Sequence, residues 1–489
     1  MKKILITVIS LATSAAAFAQ TQYDAAEFAT SDLNGTARYV GLGGALDALG
    51  GDVSVMSSNP AGTAIYKKTD MAVTGSLLFT NEDGQMGHDA TRASFDQAGI
   101  VFTMNQGNRN KKGLQFINFG VNYQKKKNHF SNVDLDVQGL NGNYSQTFQA
   151  ASQANYANDN NQNNWPMFPA LMGEAGALGY DETKTVNAFS GMGANSANYR
   201  RCTYGSTTQG DFNVSFNIAN QLFLGASLGV YDINYKRDSY YSEVGADNVV
   251  YDINNWYDTN GDGFDVKLGM ICRPIADSPF RFGVSVHTPT WYRLEDANGS
   301  TVRTEKTEIW DAADAYEYNY RTPWKFGFSL GHTFGNVVAL GAQYEISDLS
   351  SCHYGSLDWE NDEYFRVMND KIEDQLKTQH TLRVGLEIKP ITNFAVRFGY
   401  NYVSSPIKEG AWKDGSLNGY NCETDYTNWK GTNRFTCGLG YRFNGGYVDL
   451  AYQFQAQKGD FYAFDEEALK PTEIKNNRSQ VMATLGFRF

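Results

Sequence analysis

Ser479-Gln480-Val481-Met482-Ala483-Thr484-Leu485-Gly486-Phe487-Arg488-Phe489 closes the sequence. Val481, Ala483, Leu485, Phe487 and Phe489 share one face of an extended chain, and Met482, Thr484, Gly486 and Arg488 share the other. This is a period of two, held over a full membrane-crossing length. The pattern recurs upstream. Phe280, Phe282, Val284 and Val286 alternate with Arg281, Gly283, Ser285 and His287. Trp324, Phe326, Phe328 and Leu330 alternate with Lys325, Gly327, Ser329 and Gly331. Phe435, Cys437, Leu439, Tyr441 and Phe443 alternate with Thr436, Gly438, Gly440 and Arg442. In a soluble sandwich the large faces of both sheets would compete for one closed core. One uniformly large face and one small or polar face suit lipid outside and a lumen within.

Strands of this kind are predicted near 69–80, 95–105, 113–124, 208–218, 221–236, 262–274, 280–292, 321–334, 336–348, 378–390, 392–403, 431–443, 446–458 and 478–489. Short connections carry turn chemistry, as at Asn220, Gly335 and Asn444-Gly445. They alternate with long ones at 81–94, 125–207, 237–261, 293–320, 349–377, 404–430 and 459–477. An even strand count with alternating short and long connections is the pattern of an up-and-down barrel with short periplasmic turns and long extracellular loops. The expected fold is therefore all-β, a 14-stranded antiparallel transmembrane β-barrel over 69–489.

Composition agrees. Aromatic residues are 14% of the chain and charged residues only 19%, which excludes disorder. The formal net charge of -12 argues against a nucleic-acid partner. After residue 19 no run of 18 apolar residues follows, so no helical span is expected. Lys2 and Lys3, the apolar stretch 4–11 and Ala17-Phe18-Ala19 read as a secretory signal over 1–19, cleaved before Gln20. The expected location is the bacterial outer membrane.

Residues 20–68 lack strand alternation and are rich in Gly, Ala, Asp and Ser. In a barrel this wide such a segment is expected to fold into the lumen as a plug. Within it stand Gly43, Gly44 and Ala45, then Asp52-Val53-Ser54, then Asn59-Pro60-Ala61-Gly62. This ordered set resembles the N-terminal hatch of the FadL/TodX family, outer-membrane transporters of long-chain fatty acids and aromatic hydrocarbons. The resemblance implies a hatched barrel of fourteen strands. It also implies a ligand captured in an outer apolar groove, passed to a lumen pocket and released sideways near the third strand. On this chain the exit strand would present Phe116, Asn118, Gly120 and Asn122 inward, with Gly120 as either a kink or an ordinary lumen glycine. Trp165, Met167, Phe168, Leu171 and Met172 form an apolar island in the longest loop, readable as outer groove or as self-packing. The terminal Phe489 resembles the signal read by the barrel-assembly machinery. Outer-membrane lipid and lipopolysaccharide are the expected surroundings.

Other chemistry is sparse. Asp258, Asn260 and Asp262, with Gly263, match the first half of a calcium loop, but Gly269 stands where its bidentate Glu belongs. His88, His129, His287, His332, His353 and His380 form no metal spacing, and none is singled out as a haem ligand. No nucleophile motif is present, so no enzyme activity and no cofactor are expected. Five cysteines cannot all pair within one chain. Cys202, Cys352 and Cys422 fall in predicted loops, whereas Cys272 and Cys437 fall at lipid-facing strand positions. The expected function is passive uptake of hydrophobic compounds, long-chain fatty acids or similar. A general porin for polar solutes and a surface adhesion or structural barrel are the alternatives.

Overall fold

The computed structural model describes residues 20–80, 91–107, 113–159, 166–245, 250–275, 278–357, 362–414 and 422–489. The predicted signal over 1–19 lies outside them, as do Trp165 and His88. Fourteen strands, numbered here in chain order, form the barrel. They are β1 Asp70–Thr80, β2 Thr91–Asn105, β3 Leu114–Asn128, β4 Ala194–Ile218, β5 Leu222–Gly245, β6 Val250–Cys272 and β7 Arg281–His287. They continue as β8 Lys325–Phe334, β9 Val338–Asp348, β10 Thr378–Ile391, β11 Phe394–Val403, β12 Tyr426–Phe443, β13 Gly446–Tyr462 and β14 Arg478–Arg488. Each pairs antiparallel with its chain neighbour, and β14 returns to β1 in an unbroken register from Asp70↔Arg488 to Thr80↔Arg478. The sheet closes, so the membrane-crossing part of the wall has no edge strand among the described residues.

The period-two reading holds through the wall. Val481, Ala483, Leu485 and Phe487 are exposed, while Met482, Thr484 and Gly486 are buried. Around the outside, Leu77, Phe119, Phe212, Leu268, Phe328, Leu382, Phe398 and Leu450 continue the exposed apolar face. Lipid is the solvent that makes such a surface stable.

Three strands run far past the lipid. β4, β5 and β6 are 25, 24 and 23 residues long. At about 3.3 Å per residue they rise well above an apolar band roughly 25 Å tall. The outer face records the crossing. On β6 it reads Leu268, Val266 and Phe264 in lipid, then Asp262, Asn260 and Asp258 above it. Trp291 packs on Phe264 at 5.3 Å between ring centres, as expected of an interfacial aromatic. The predicted loop 293–320 is in fact a hairpin, Trp291–Thr304 with Glu308–Arg321, which continues the wall beside β6. Pro289 and Pro323 separate it from β7 and β8, because proline cannot donate to the ladder. Its buried face carries Tyr292, Leu294, Tyr316, Tyr318 and Tyr320, and its outer face carries Arg293, Glu295 and Glu317. The alternation survives, with water in place of lipid outside.

The apolar island of the longest loop is not an open groove. Met167, Phe168, Leu171 and Met172 lie on a short helix, Met167–Glu174, and all four are buried. They pack with Tyr199, Tyr241, Tyr251, Ile253, Val302 and Phe461 in the core of the extracellular cap. The groove reading is corrected to self-packing: sequence displays an apolar run, but the tall β4–β6 wall supplies the surface that covers it.

Replacing Phe328 by Arg puts a charge on the lipid face, which costs about 2–4 kcal/mol near the bilayer midplane. Urea unfolding in lipid vesicles is expected to show that loss, and an unchanged midpoint would place Phe328 outside the lipid.

Candidate functional site

Residues 20–66 are mostly buried against the inward side of the wall and the hairpin above it, and their local structure follows from capping chemistry. Thr21 and Asp24 form a reciprocal capping box at the start of helix α1, Gln22–Ala29. Thr36 caps α2, Ala37–Gly41, by accepting from Tyr39 N. Asp52 Oδ1 accepts from Ser54 N at 3.0 Å and starts a 3₁₀ turn over Val53–Ser57. Asn59 Oδ1 accepts from Ala61 N at 3.2 Å and starts a second over Pro60–Ile65, with Pro60 where its missing N–H costs nothing. The Asp-x-Ser and Asn-Pro-Ala-Gly signals are therefore two consecutive N-caps.

The glycines mark close approach between this segment and the wall. Gly43 and Gly44 hold φ of 62° and 82°, which side chains resist. A Cβ on Gly43 would stand 2.8 Å from Tyr400 N. The reciprocal contacts use strand glycines. A Cβ on Gly385 would lie 2.5 Å from the Leu42 carbonyl oxygen, and one on Gly225 2.5 Å from Ala61 N. Gly269, Gly341 and Gly399 meet Asn59, Ala45 and Gly43 in the same way. The small half of the strand alternation is the seat of the N-terminal segment.

Polar side chains of the wall then satisfy the segment's backbone, as burial requires. Asn118 Nδ2 donates to the Thr63 carbonyl at 2.7 Å, and Gln124 Nε2 donates to that of Asn34 at 2.6 Å. Arg281 Nη1 donates to the Leu49 carbonyl at 2.8 Å, and Tyr320 OH to that of Ala25 at 2.6 Å. Ala37 N donates to Thr484 Oγ1 at 2.7 Å.

The predicted exit strand faces inward as read: Asn118, Gly120 and Asn122 are buried and Phe116 is half-buried. No kink or gap opens there. Gly120 pairs with Val101 on β2 and Asn213 on β4, and the space a Cβ would need is taken by the Met56 methyl, 2.6 Å away. β3 shifts register instead near its two ends, at Gln115 and Lys126.

Ion pairs tie the outer end of the segment to the cap. Arg237 holds Asp24 at 3.1 Å and also pairs with Glu423. Arg201 holds Asp425 at 3.3 Å, and Lys127 Nζ lies 2.9 Å from Glu27 Oε2. Burial alone would raise the Glu27 carboxyl, but Lys127 and His129 outweigh it and hold Glu27 well below the usual carboxylate range. Asp47, inside the segment, is pushed up to about 7 by burial, against the Ser58 hydroxyl and Arg383. Around the ion pairs of Glu27 and Arg237 lies a cavity of about 210 Å³ bordered by Asp24, Glu27, Lys127, Arg201, Arg237 and Arg434. A second, of about 80 Å³, is bordered by Lys126, Lys267, Lys325, Glu345 and Arg383. Both touch Ser31, Asp32, Gln379, Val403 and Arg434, so they stack along the lumen. Their charged lining is a feature that sequence reasoning did not find. The run Lys125-Lys126-Lys127 was its available signal.

The remaining candidates do not converge. Asp258, Asn260 and Asp262 sit on extended β6 as successive outward rungs, about 7 Å apart, rather than in a calcium-loop coil. Asp258 pairs with Lys236 at 2.6 Å, and no metal-type cluster exists among the described residues. Cys202, Cys352 and Cys422 are buried in three separate clusters and all five cysteines are free. His129 bonds Glu27 and Thr207, and His287 bonds the Ser58 carbonyl.

A closed, lipid-facing barrel of this kind is the fold of outer-membrane β-barrel proteins. No family model matches the sequence, and no curated relative does. Solved structures match across nearly the whole chain. The FadL homologue of Pseudomonas aeruginosa is 14% identical, with a TM-score of 0.51, over 94% of this chain and 98% of that one. The CymD monoaromatic hydrocarbon channel is 11% identical, with a TM-score of 0.52, over 94% and 98%. The toluene transporter TbuX of Ralstonia pickettii is 11% identical, with a TM-score of 0.51, over 94% and 99%. The protein has the fold of these FadL-type channels, and at such identities the likeness is one of fold.

Overpacking a tight contact costs about 1–3 kcal/mol. Gly225→Val is therefore expected to shift the seated-to-released balance of residues 53–65 by roughly 5–150-fold. Hydrogen exchange read by mass spectrometry should show those amides exchanging faster by that factor. Unchanged protection would mean that the seat at Gly225 does not hold the segment.

Proposed function

We propose that this chain is a gated outer-membrane channel for passive uptake of hydrophobic compounds, long-chain fatty acids or similar. Residues 20–68 are the hatch, and residues 1–19 are the signal that directs export. One observation supports the reading: the N-terminal segment is buried against the wall and bonded to it along its length. A constitutively open porin has no use for such a segment. The solved structures that share the fold include hydrocarbon and toluene channels, which supports a hydrophobic cargo. Uptake of this kind requires no cofactor and no bond-making. Phe489 would serve the assembly machinery, and lipid with lipopolysaccharide would surround the band.

The charged cavities favour a second reading. A hydrophobic solute gains roughly 25 cal/mol per Å² only where it meets apolar surface. The two stacked cavities are bordered largely by polar side chains, Asp, Glu, Lys and Arg among them, which suits a polar cargo admitted past the same hatch.

Liposomes carrying the purified protein discriminate between them. The first reading predicts saturable uptake of labelled oleate and exclusion of glucose and succinate. Oleate exclusion with entry of succinate would contradict it in favour of the second.

A further inference from the structure

The smaller lumen cavity has more cations than anions, and the excess is specific. Its carboxylates are all engaged. Asp32 holds Arg434 and Arg478 at 3.5 and 3.0 Å. Asp265 holds Lys267 at 2.7 Å and accepts from Tyr231 OH at 2.7 Å. Glu345 holds Arg383 at 3.3 Å. Two ammonium groups are left over. Lys325 Nζ donates to one backbone carbonyl, that of Ala29 at 3.2 Å, and makes no ion pair among the described residues. Lys126 Nζ makes neither a hydrogen bond nor an ion pair among them. It lies over the Tyr231 ring, 4.4 Å from its centre. Arg383 also borders the cavity and keeps an Nε–H without an acceptor.

Lys126 and Lys325 are half-buried and border the cavity, where an anion would complete the shell of each ammonium. The chain goes out of its way to place Lys126. β3 is regular from Phe116 to Lys125, and the shift between Lys125 and Lys127 makes Lys126 the extra residue of a bulge. Bulges re-aim side chains. Here Lys127 reaches Glu27 and Lys125 reaches Ser94, while Lys126 is delivered to the cavity.

We propose that Lys126 and Lys325 form a binding site for the oxyanion of a small hydrophilic solute, a carboxylate or phosphate held in the lumen. Two ammonium groups supply charge-assisted hydrogen bonds, which are stronger than neutral ones. The cavity, about 80 Å³, has room for such a group, since a single water needs only about 10–15 Å³. Its other walls are mostly amide and hydroxyl side chains, with Leu33, Tyr39, Tyr231 and Val403 as the apolar part, too little for a long tail. This site deepens the second reading of the channel. It is tested by binding alone, so its failure is distinguishable from a failure of transport.

The test uses the full-length protein in detergent, with succinate, inorganic phosphate and oleate as separate titrants in calorimetry. Succinate or phosphate is expected to bind, and Lys126→Gln with Lys325→Gln is expected to weaken that binding at least about tenfold. Removing two unpaired charges should leave the barrel folded, which heat-shifted gel mobility and circular dichroism check. Lys125→Gln, whose amine sits on Ser94, is expected to bind like the parent. Absence of succinate and phosphate binding, or equal binding by the double variant, overturns the proposal. So does lysine-dependent binding of oleate alone, which would make the site a receptor for an amphiphile's head.

Discussion

A barrel of fourteen strands encloses more space than its own inward side chains can fill, whereas eight strands just close on themselves. What occupies that space governs the rest of this protein. The wall gives up inward bulk at Gly225, Gly269, Gly341, Gly385 and Gly399 so that a second piece of the same chain can approach backbone to backbone. It supplies Asn118, Gln124, Arg281 and Thr484 to meet the polar groups this brings in. Each half is shaped to the other's chemistry. An empty lumen would waste the glycines, and an unseated segment would lose the partners of its buried carbonyls.

The same reciprocity separates two kinds of polar group. Toward the periplasmic half, charges are spent on structure: Arg397 bridges Glu387 and Asp449 at 2.8 and 2.6 Å, and Arg38 of the segment joins Glu387 at 3.4 Å. Around Asp32 the balance changes. The stacked cavities begin there, and Lys126 and Lys325 make no direct ion pair among the described residues. A lumen of this character is an unexpected interior for a fold shared with hydrocarbon channels. Fold fixes where a cargo can be held; the lining decides which cargo.

Much of the architecture was legible in sequence because the bilayer imposes a strict rule. Every membrane-crossing strand must show lipid one face, so Val481 to Phe487 and Phe326 to Leu330 announce themselves. Above the lipid the rule lapses. The hairpin Trp291–Thr304 with Glu308–Arg321 keeps the period but turns Arg293 and Glu317 to water, and so reads as loop. The turns at Asp52 and Asn59 were legible because caps are local chemistry: each bonds two residues onward. Long-range packing was not. Nothing near Gly120 in the chain names Met56 as its neighbour, and nothing near Met167 names Tyr251. The lumen cations were hidden for a similar reason. A run of three lysines reads as a solvated loop until the bulge at Lys126 turns one of them inward.

The central claim is that residues 20–68 close this barrel. Planar-bilayer conductance of the full-length protein and of a variant lacking those residues tests it most directly. The account predicts a nearly silent full-length protein and a large, steady conductance after the deletion. A large conductance of equal size in both would contradict it, because the lumen would then be open with its N-terminal segment in place.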